Sequence, residues 1–133
     1  MTKAKDVMTE NVVCVKEDTP IYQALELLEK HNISGIPVVE DDMTLVAIIS
    51  EIDVLGLFHS SEDLEGGTVG DYMTQPAVFF EVEESLSDIC ECLARNYFRR
   101  VPVTSKGKLV GIVSRRDIIK SILQTRHESA VVA

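Results

Sequence analysis

Two short strings carry residue types from which a polar site can be built. Ser50-Glu51-Ile52-Asp53 and Ser114-Arg115-Arg116-Asp117 each place a hydroxyl three residues ahead of a carboxylate. Both strings stand at the head of a segment that reads as a helix. One reading is structural: S-x-x-D is close to a capping box, in which the serine takes a first-turn N–H and the acid turns back to the cap. An acid in the first turn also suits the positive end of the helix. The other reading is chemical, because a helix N-terminus gathers unpaired N–H groups that suit a phosphate or another polar ligand. Capping and binding are compatible. Arg99-Arg100 also has two readings. It is either a solvated basic pair where cations suit a helix C-terminus, or a fork able to grip an anion's oxygens bidentately.

Other chemistry-bearing residues form no constellation. Cys90-x-Cys92 lacks a second Cys/His pair at metal-ligand spacing, and Cys90 falls on an apolar helix face, which points to a buried core role. His31, His59 and His127 are scattered near helix ends. Gly66-Gly67 and Gly70 match no phosphate-binding glycine loop. Met8 and Met73 read as core packing. No nucleophile stands beside an activating base, so no metal, catalytic residue or enzyme activity is expected.

Composition narrows the classes further. The chain has 133 residues, 45% of them hydrophobic, with 13 basic and 22 acidic side chains for a net charge of −9. The apolar and charged fractions suit a globular domain. The acidic balance argues against a nucleic-acid partner, which would need surplus Lys and Arg. A local arginine cluster can still serve a small anion against the global sign. The longest apolar run, Leu45 to Ile49, is too short to span a bilayer, so no membrane association is expected. Residues 1–10 show no apolar stretch of a secretory leader. Three cysteines suggest no disulfide framework, and the simplest compartment is the reducing cytoplasm.

The elements that must position these residues come twice. Asp6-Val7-Met8-Thr9 recurs as Asp71-Tyr72-Met73-Thr74, an offset of 65 that also pairs Val13 with Val78, Pro37 with Pro102 and Val38 with Val103. After a one-residue loss in a turn, Leu45, Ile48, Ser50 and Asp53 answer Leu109, Ile112, Ser114 and Asp117 at offset 64. Each copy reads as strand, helix, strand, strand, helix. The first strands are Val12–Val15 and Val78–Phe80. The helices carry apolar stripes Ile21/Ala24/Leu25/Leu28 and Leu86/Ile89/Cys90/Leu93, capped by Thr19 (with Pro20 as first helical residue) and by Ser85. Ile36–Val39 with Leu45–Ile49, and Val101–Thr104 with Leu109–Val113, read as antiparallel hairpins turning at Asp41-Asp42 and Lys106-Gly107. The expected organisation is unit one at 1–59, an exposed acidic linker at 60–67, unit two at 68–125 and a disordered tail at 126–133. Each half is marginal alone. The expected fold is α/β (α+β), two β-α-β-β-α units packed sheet to sheet as one pseudo-two-fold module.

The doubled pattern resembles the cystathionine-β-synthase (CBS) domain and its tandem form, the CBS pair or Bateman module. The resemblance rests on Val7-Met8-Thr9 and Tyr72-Met73-Thr74, on Ile33-Ser34-Gly35-Ile36-Pro37-Val38-Val39 and Phe98-Arg99-Arg100-Val101-Pro102-Val103, and on Val110-Gly111-Ile112-Val113-Ser114-Arg115-Arg116-Asp117. Val46-Ala47-Ile48-Ile49-Ser50-Glu51-Ile52-Asp53 is a weaker copy, with Ala47 where the family usually has glycine. The match covers about residues 3 to 123.

The resemblance implies a regulatory module that binds adenosyl ligands, namely AMP, ADP, ATP (with or without Mg²⁺) or S-adenosylmethionine. It also implies a homodimer and an unknown protein partner. In the family each cleft joins the segment before the proline of one unit to the S-x-x-D of the other. Carried over, cleft one takes Val78, Arg99, Arg100, Val101 and Pro102 with Ser50 and Asp53. Cleft two takes Val13, Ser34, Gly35, Ile36 and Pro37 with Ser114 and Asp117, and Arg115 and Arg116 stand beside it. The carboxylates would accept a ribose diol, the arginines a phosphate, and the Val101-Pro102 and Ile36-Pro37 segments would flank adenine. Ser34-Gly35 is uncharged where the second copy has Arg99-Arg100, so the clefts should differ. The competing reading is a structural dimerisation module with degenerate pockets. The start at Met1 reads as a free-standing small protein.

Overall fold

The structure is a computed structural model that describes residues 1–59, 66–96 and 98–126. The chain divides into two compact units that cut across the sequence repeats. A central unit holds Val13–Val78 with Gly107–Leu109, and a terminal unit holds Met1–Val12, Phe79–Lys106 and Val110 onward. Among the described residues no helix is long and apolar enough to cross a membrane.

In the central unit, α2 (Ile21–His31) leads into β1 (Gly35–Val39) and β2 (Leu45–Ser50), followed by α3 (Glu51–Val54) and a 3₁₀ turn at Leu55–Phe58. The β1 and β2 strands pair antiparallel, Gly35 opposite Ser50 and Val38 opposite Ala47, with an irregularity between Val38 and Val39. Ile21, Ala24 and Leu28 present one face of α2 to Ile36, Val38, Ala47 and Ile49, and this cluster is the unit's core. α2 ends on Asn32, whose left-handed φ of 50° is the conformation helix C-caps favour.

The terminal unit repeats the plan. β3 (Phe80–Glu81) runs parallel to β4 (Arg100–Ser105), which adjoins β5 (Lys108–Ser114) in a three-stranded sheet ordered β3-β4-β5. Lys106 and Gly107 turn the β4–β5 hairpin with φ of 53° and 82°, the left-handed pair that a two-residue hairpin loop requires. α4 (Leu86–Asn96) buries Leu86, Ile89 and Leu93, and α5 (Arg115–Arg126) follows β5 directly.

Each core is completed by an arm from the other repeat. α1 (Ala4–Val7) lies in the terminal unit, with Ala4 fully buried beside Leu86, Ile89 and Val101. The matching 3₁₀ turn Val69–Asp71 lies in the central unit, with Val69 fully buried beside Ile21 and Ile36. The bonding is parallel in detail. The Ala4 N–H donates to Glu84 O at 2.9 Å and the Val69 N–H to Thr19 O at 2.8 Å. Past each turn the arm bridges a hairpin strand, Thr9 with Ile112 and Thr74 with Ile48.

Several expectations change. The predicted strands Val12–Val15 and Val78–Phe80 shrink to a single parallel bridge at Val15 with Val38 and to the two residues of β3. One residue of each run, Val15 and Phe80, reaches the hairpin's edge, and Glu81 extends the second pairing. Thr19 does not cap α2. The N-cap is Pro20, and the Thr19 hydroxyl instead accepts the Lys16 N–H at 3.0 Å, closing the turn before the helix. Ser85 does cap α4, accepting the Ser87 N–H at 3.0 Å. Cys90 is exposed rather than buried, on the rim of the helix face whose Leu86, Ile89 and Leu93 are buried. Its edge opens on a groove of about 390 Å³ lined in part by Met1, Leu86, Ile118 and Ile122. Of the predicted linker, residues 60–65 lie outside the described residues, while Gly67 accepts the Ile21 N–H at 2.9 Å and belongs to the fold. α5 reaches Arg126, and the predicted tail beyond it lies outside the described residues.

Candidate functional site

The two S-x-x-D strings fold as capping boxes. At the head of α3 the Ser50 N–H donates to Asp53 Oδ2 at 2.8 Å, and the Ser50 hydroxyl donates to the same oxygen at 3.0 Å. At the head of α5 the Ser114 N–H and hydroxyl donate to Asp117 Oδ2 at 2.8 and 3.0 Å, and the Asp117 N–H returns to Ser114 Oγ at 3.2 Å. Both carboxylates are half-buried. The second oxygen of each meets a threonine from the arm. Thr74 Oγ1 donates to Asp53 Oδ1 at 2.7 Å, whereas Thr9 Oγ1 lies 3.5 Å from Asp117 Oδ1. The site reading of the sequence missed Thr9 and Thr74. The signal was present, since both close the repeated Met-Thr string.

The segment before each proline is also tied to the helix head of its own unit. The Glu51 N–H donates to Ser34 O at 2.9 Å, and the Arg115 N–H to Arg99 O at 3.0 Å. Arg115 adds a side-chain bond, Nε to Phe98 O at 2.9 Å, which makes it a brace for the 98–100 segment. Arg116 is exposed at the same helix start. Arg100 is half-buried, and its Nε is enclosed without a hydrogen-bond partner. Burial, and then repulsion from Arg99, push the Arg100 guanidinium below its ordinary pKa, while Asp117 pulls the other way.

The central unit therefore contains Ser50, Asp53, Val78, Val13, Ser34, Gly35, Ile36 and Pro37, and the terminal unit contains Arg99, Arg100, Val101, Pro102, Ser114 and Asp117. Ile36, Pro37 and Val101 are less than 2% exposed and Pro102 is buried. At the proline segments both backbone and side chains are therefore closed to solvent. Val78 is 44% exposed. The glycine missing from the first copy also has a physical meaning. A Cβ on Gly111 would lie 2.5 Å from Met8 Sδ, so glycine lets the arm's methionine settle on β5, whereas Ala47 is wholly buried with Met73 packed against its cluster.

The family model for the CBS domain matches twice, at residues 4–60 and 69–124. The chain belongs to the CBS-domain family. The CBS-pair protein CBSX2 of Arabidopsis thaliana, in its crystal structure with AMP, superposes at a TM-score of 0.83 with 33% identity, covering 95% of this chain and 99% of that one. The uncharacterised protein MJ1225 of Methanocaldococcus jannaschii is 37% identical over 87% of this chain, and the zinc metalloprotease MJ0392 of the same organism is 40% identical over 95%. This chain spans only 41% and 34% of those two proteins. Two tandem CBS domains thus account for nearly the whole sequence, and the mixed α/β architecture with two small sheets is that of a CBS pair.

Proposed function

We propose that this CBS pair is a regulatory module that binds an adenosyl nucleotide, AMP, ADP or ATP, and acts on a partner or on oligomeric state rather than as a catalyst. The observation that carries the reading is the repeated carboxylate at a helix head, Asp53 and Asp117, each in a capping box where a strand passes directly into a helix. AMP bound to CBSX2, a relative at 33% identity, supports the ligand class. In this reading Ser50 and Asp53 serve one site with Val78 and the Arg99–Pro102 segment. Ser114 and Asp117 serve the other with Val13 and the Ser34–Pro37 segment. Arg100, with its enclosed unpartnered Nε, supplies the phosphate grip, and Arg116 is available beside Asp117. The Ile36-Pro37 and Val101-Pro102 segments are the ones proposed to flank the base.

Ligand can shift such a module only by its differential affinity for the states it selects between. We propose a homodimer as the assembly on which it acts. Leu55 and Phe58 are 67% and 89% exposed, and their repeat equivalents Ile119 and Ile122 are 54% and 51% exposed. The same apolar positions are thus bare in both repeats. The free thiols of Cys14, Cys90 and Cys92 are in keeping with a reducing compartment such as the cytoplasm.

The test is titration calorimetry and thermal melting with AMP, ADP, ATP and S-adenosylmethionine. At 100 times its dissociation constant a bound ligand stabilises by about 2.7 kcal/mol. Absence of heat and of any melting shift with all four compounds overturns the nucleotide reading in favour of a purely structural dimerisation module.

A further inference from the structure

Resting on that reading, the two carboxylates differ in what they can still accept. An ionised carboxylate offers about four lone-pair positions. Asp53 has three engaged, two on Oδ2 by Ser50 and one on Oδ1 by the Thr74 hydroxyl at 2.7 Å. Asp117 has the same two on Oδ2, but the Thr9 hydroxyl stands 3.5 Å from Oδ1, well beyond the usual O–H···O separation. A sugar diol donates two hydrogen bonds. Asp117 Oδ1 is open to both, whereas Asp53 must first release Thr74 or accept only one.

The backbone does not explain the difference. Thr9 is bridged to Ile112 and Thr74 to Ile48 by equivalent pairs of bonds of 2.8 to 3.1 Å. Only the side-chain reach differs. We infer that Thr74 is a specificity-determining residue: its hydroxyl occupies Asp53 in place of a ligand hydroxyl. The Asp53 site then discriminates weakly between sugars with and without a diol, and the Asp117 site discriminates strongly.

The experiment compares AMP with 2′-deoxy-AMP by titration calorimetry, in the full chain carrying Asp117→Ala so that only the Asp53 site reports. Thr74→Val keeps the branched shape and removes the donor. It should raise the ratio of AMP to 2′-deoxy-AMP affinity about tenfold or more, the weight of one hydrogen bond to a charged acceptor. Thr74→Ser should leave the ratio at its starting value, and Thr9→Val in an Asp53→Ala chain should change the other site's ratio less than about twofold. A ratio unmoved by Thr74→Val, or a loss of both ligands in parallel, overturns the inference while leaving nucleotide binding intact. A wild-type chain that binds neither compound overturns the function reading itself, and this inference with it.

Discussion

Asp53→Ala in the ligand-free protein separates the two meanings of the S-x-x-D string. The substitution removes three hydrogen bonds, from the Ser50 N–H, the Ser50 hydroxyl and the Thr74 hydroxyl at 2.8, 3.0 and 2.7 Å. Loss of a capping interaction costs about 1 kcal/mol. The Thr74 bond goes to a charged acceptor but lies at an exposed threonine, so its net worth sits near the low end, about 1 kcal/mol. The sum is about 2 kcal/mol. For a chain of this length 1 kcal/mol moves the melting temperature by about 3 to 4 °C, so Asp53→Ala should melt about 6 to 8 °C lower. Asp117→Ala loses the Ser114 box, but its threonine contact is long at 3.5 Å. It should fall by about half as much, 3 to 4 °C. Scanning calorimetry on both variants, with a Thr74→Val cycle against Asp53→Ala, makes the measurement. Equal losses at the two aspartates, or strict additivity of Thr74→Val with Asp53→Ala, would refute the hydrogen-bond accounting.

Gly111→Ala should destabilise by about 1 kcal/mol, since the added Cβ meets Met8 Sδ and Cγ at 2.5 and 2.8 Å and overpacking costs about 1 to 3 kcal/mol. Met8→Ala in the same chain should recover part of that loss in urea melts. Arg100→Met should raise the stability of the ligand-free protein by up to about 1 kcal/mol, because it removes an enclosed, unsatisfied Nε, while weakening a phosphorylated ligand in calorimetry. Glu83, held by Lys3 and Lys5 at 2.6 and 2.7 Å, has its pKa lowered to about 2. Its folded pKa lies below the unfolded value, so its stabilising effect is complete above about pH 4.5 and is lost as pH falls toward 2. Glu83→Gln should flatten the stability–pH curve in that window, read by denaturant melts from pH 5 to 2.

Much of the architecture is legible in the chain because duplication prints each element twice. The hairpins and the helix heads at Ser50 and Ser114 follow from local chemistry that each copy repeats, and the α4 cap at Ser85 from its own serine. Thr19 shows the limit of that reasoning. Its hydroxyl had two nearby donors to choose between, and the Lys16 turn took it. Cys90 shows another limit, since a helical stripe gives the direction of the core but not which residue at its edge is covered. In the candidate site Asp53 and Asp117 could be picked out by type and spacing, and the arginine pair by its place before Val101-Pro102. Thr9 and Thr74 could not be assigned to a partner. Internal alignment says that two arms are equivalent and is silent on which hairpin each arm joins.

The crossed arms bear on how a single repeat could fold. A chain holding one repeat would carry an arm with a buried residue, the counterpart of Ala4 or Val69, and a hairpin lacking the bridge that such an arm supplies. Two such chains could satisfy both needs by lending arms reciprocally. Carrying both copies in one chain makes that exchange unimolecular, and a cut between the repeats is not a cut between the two compact units.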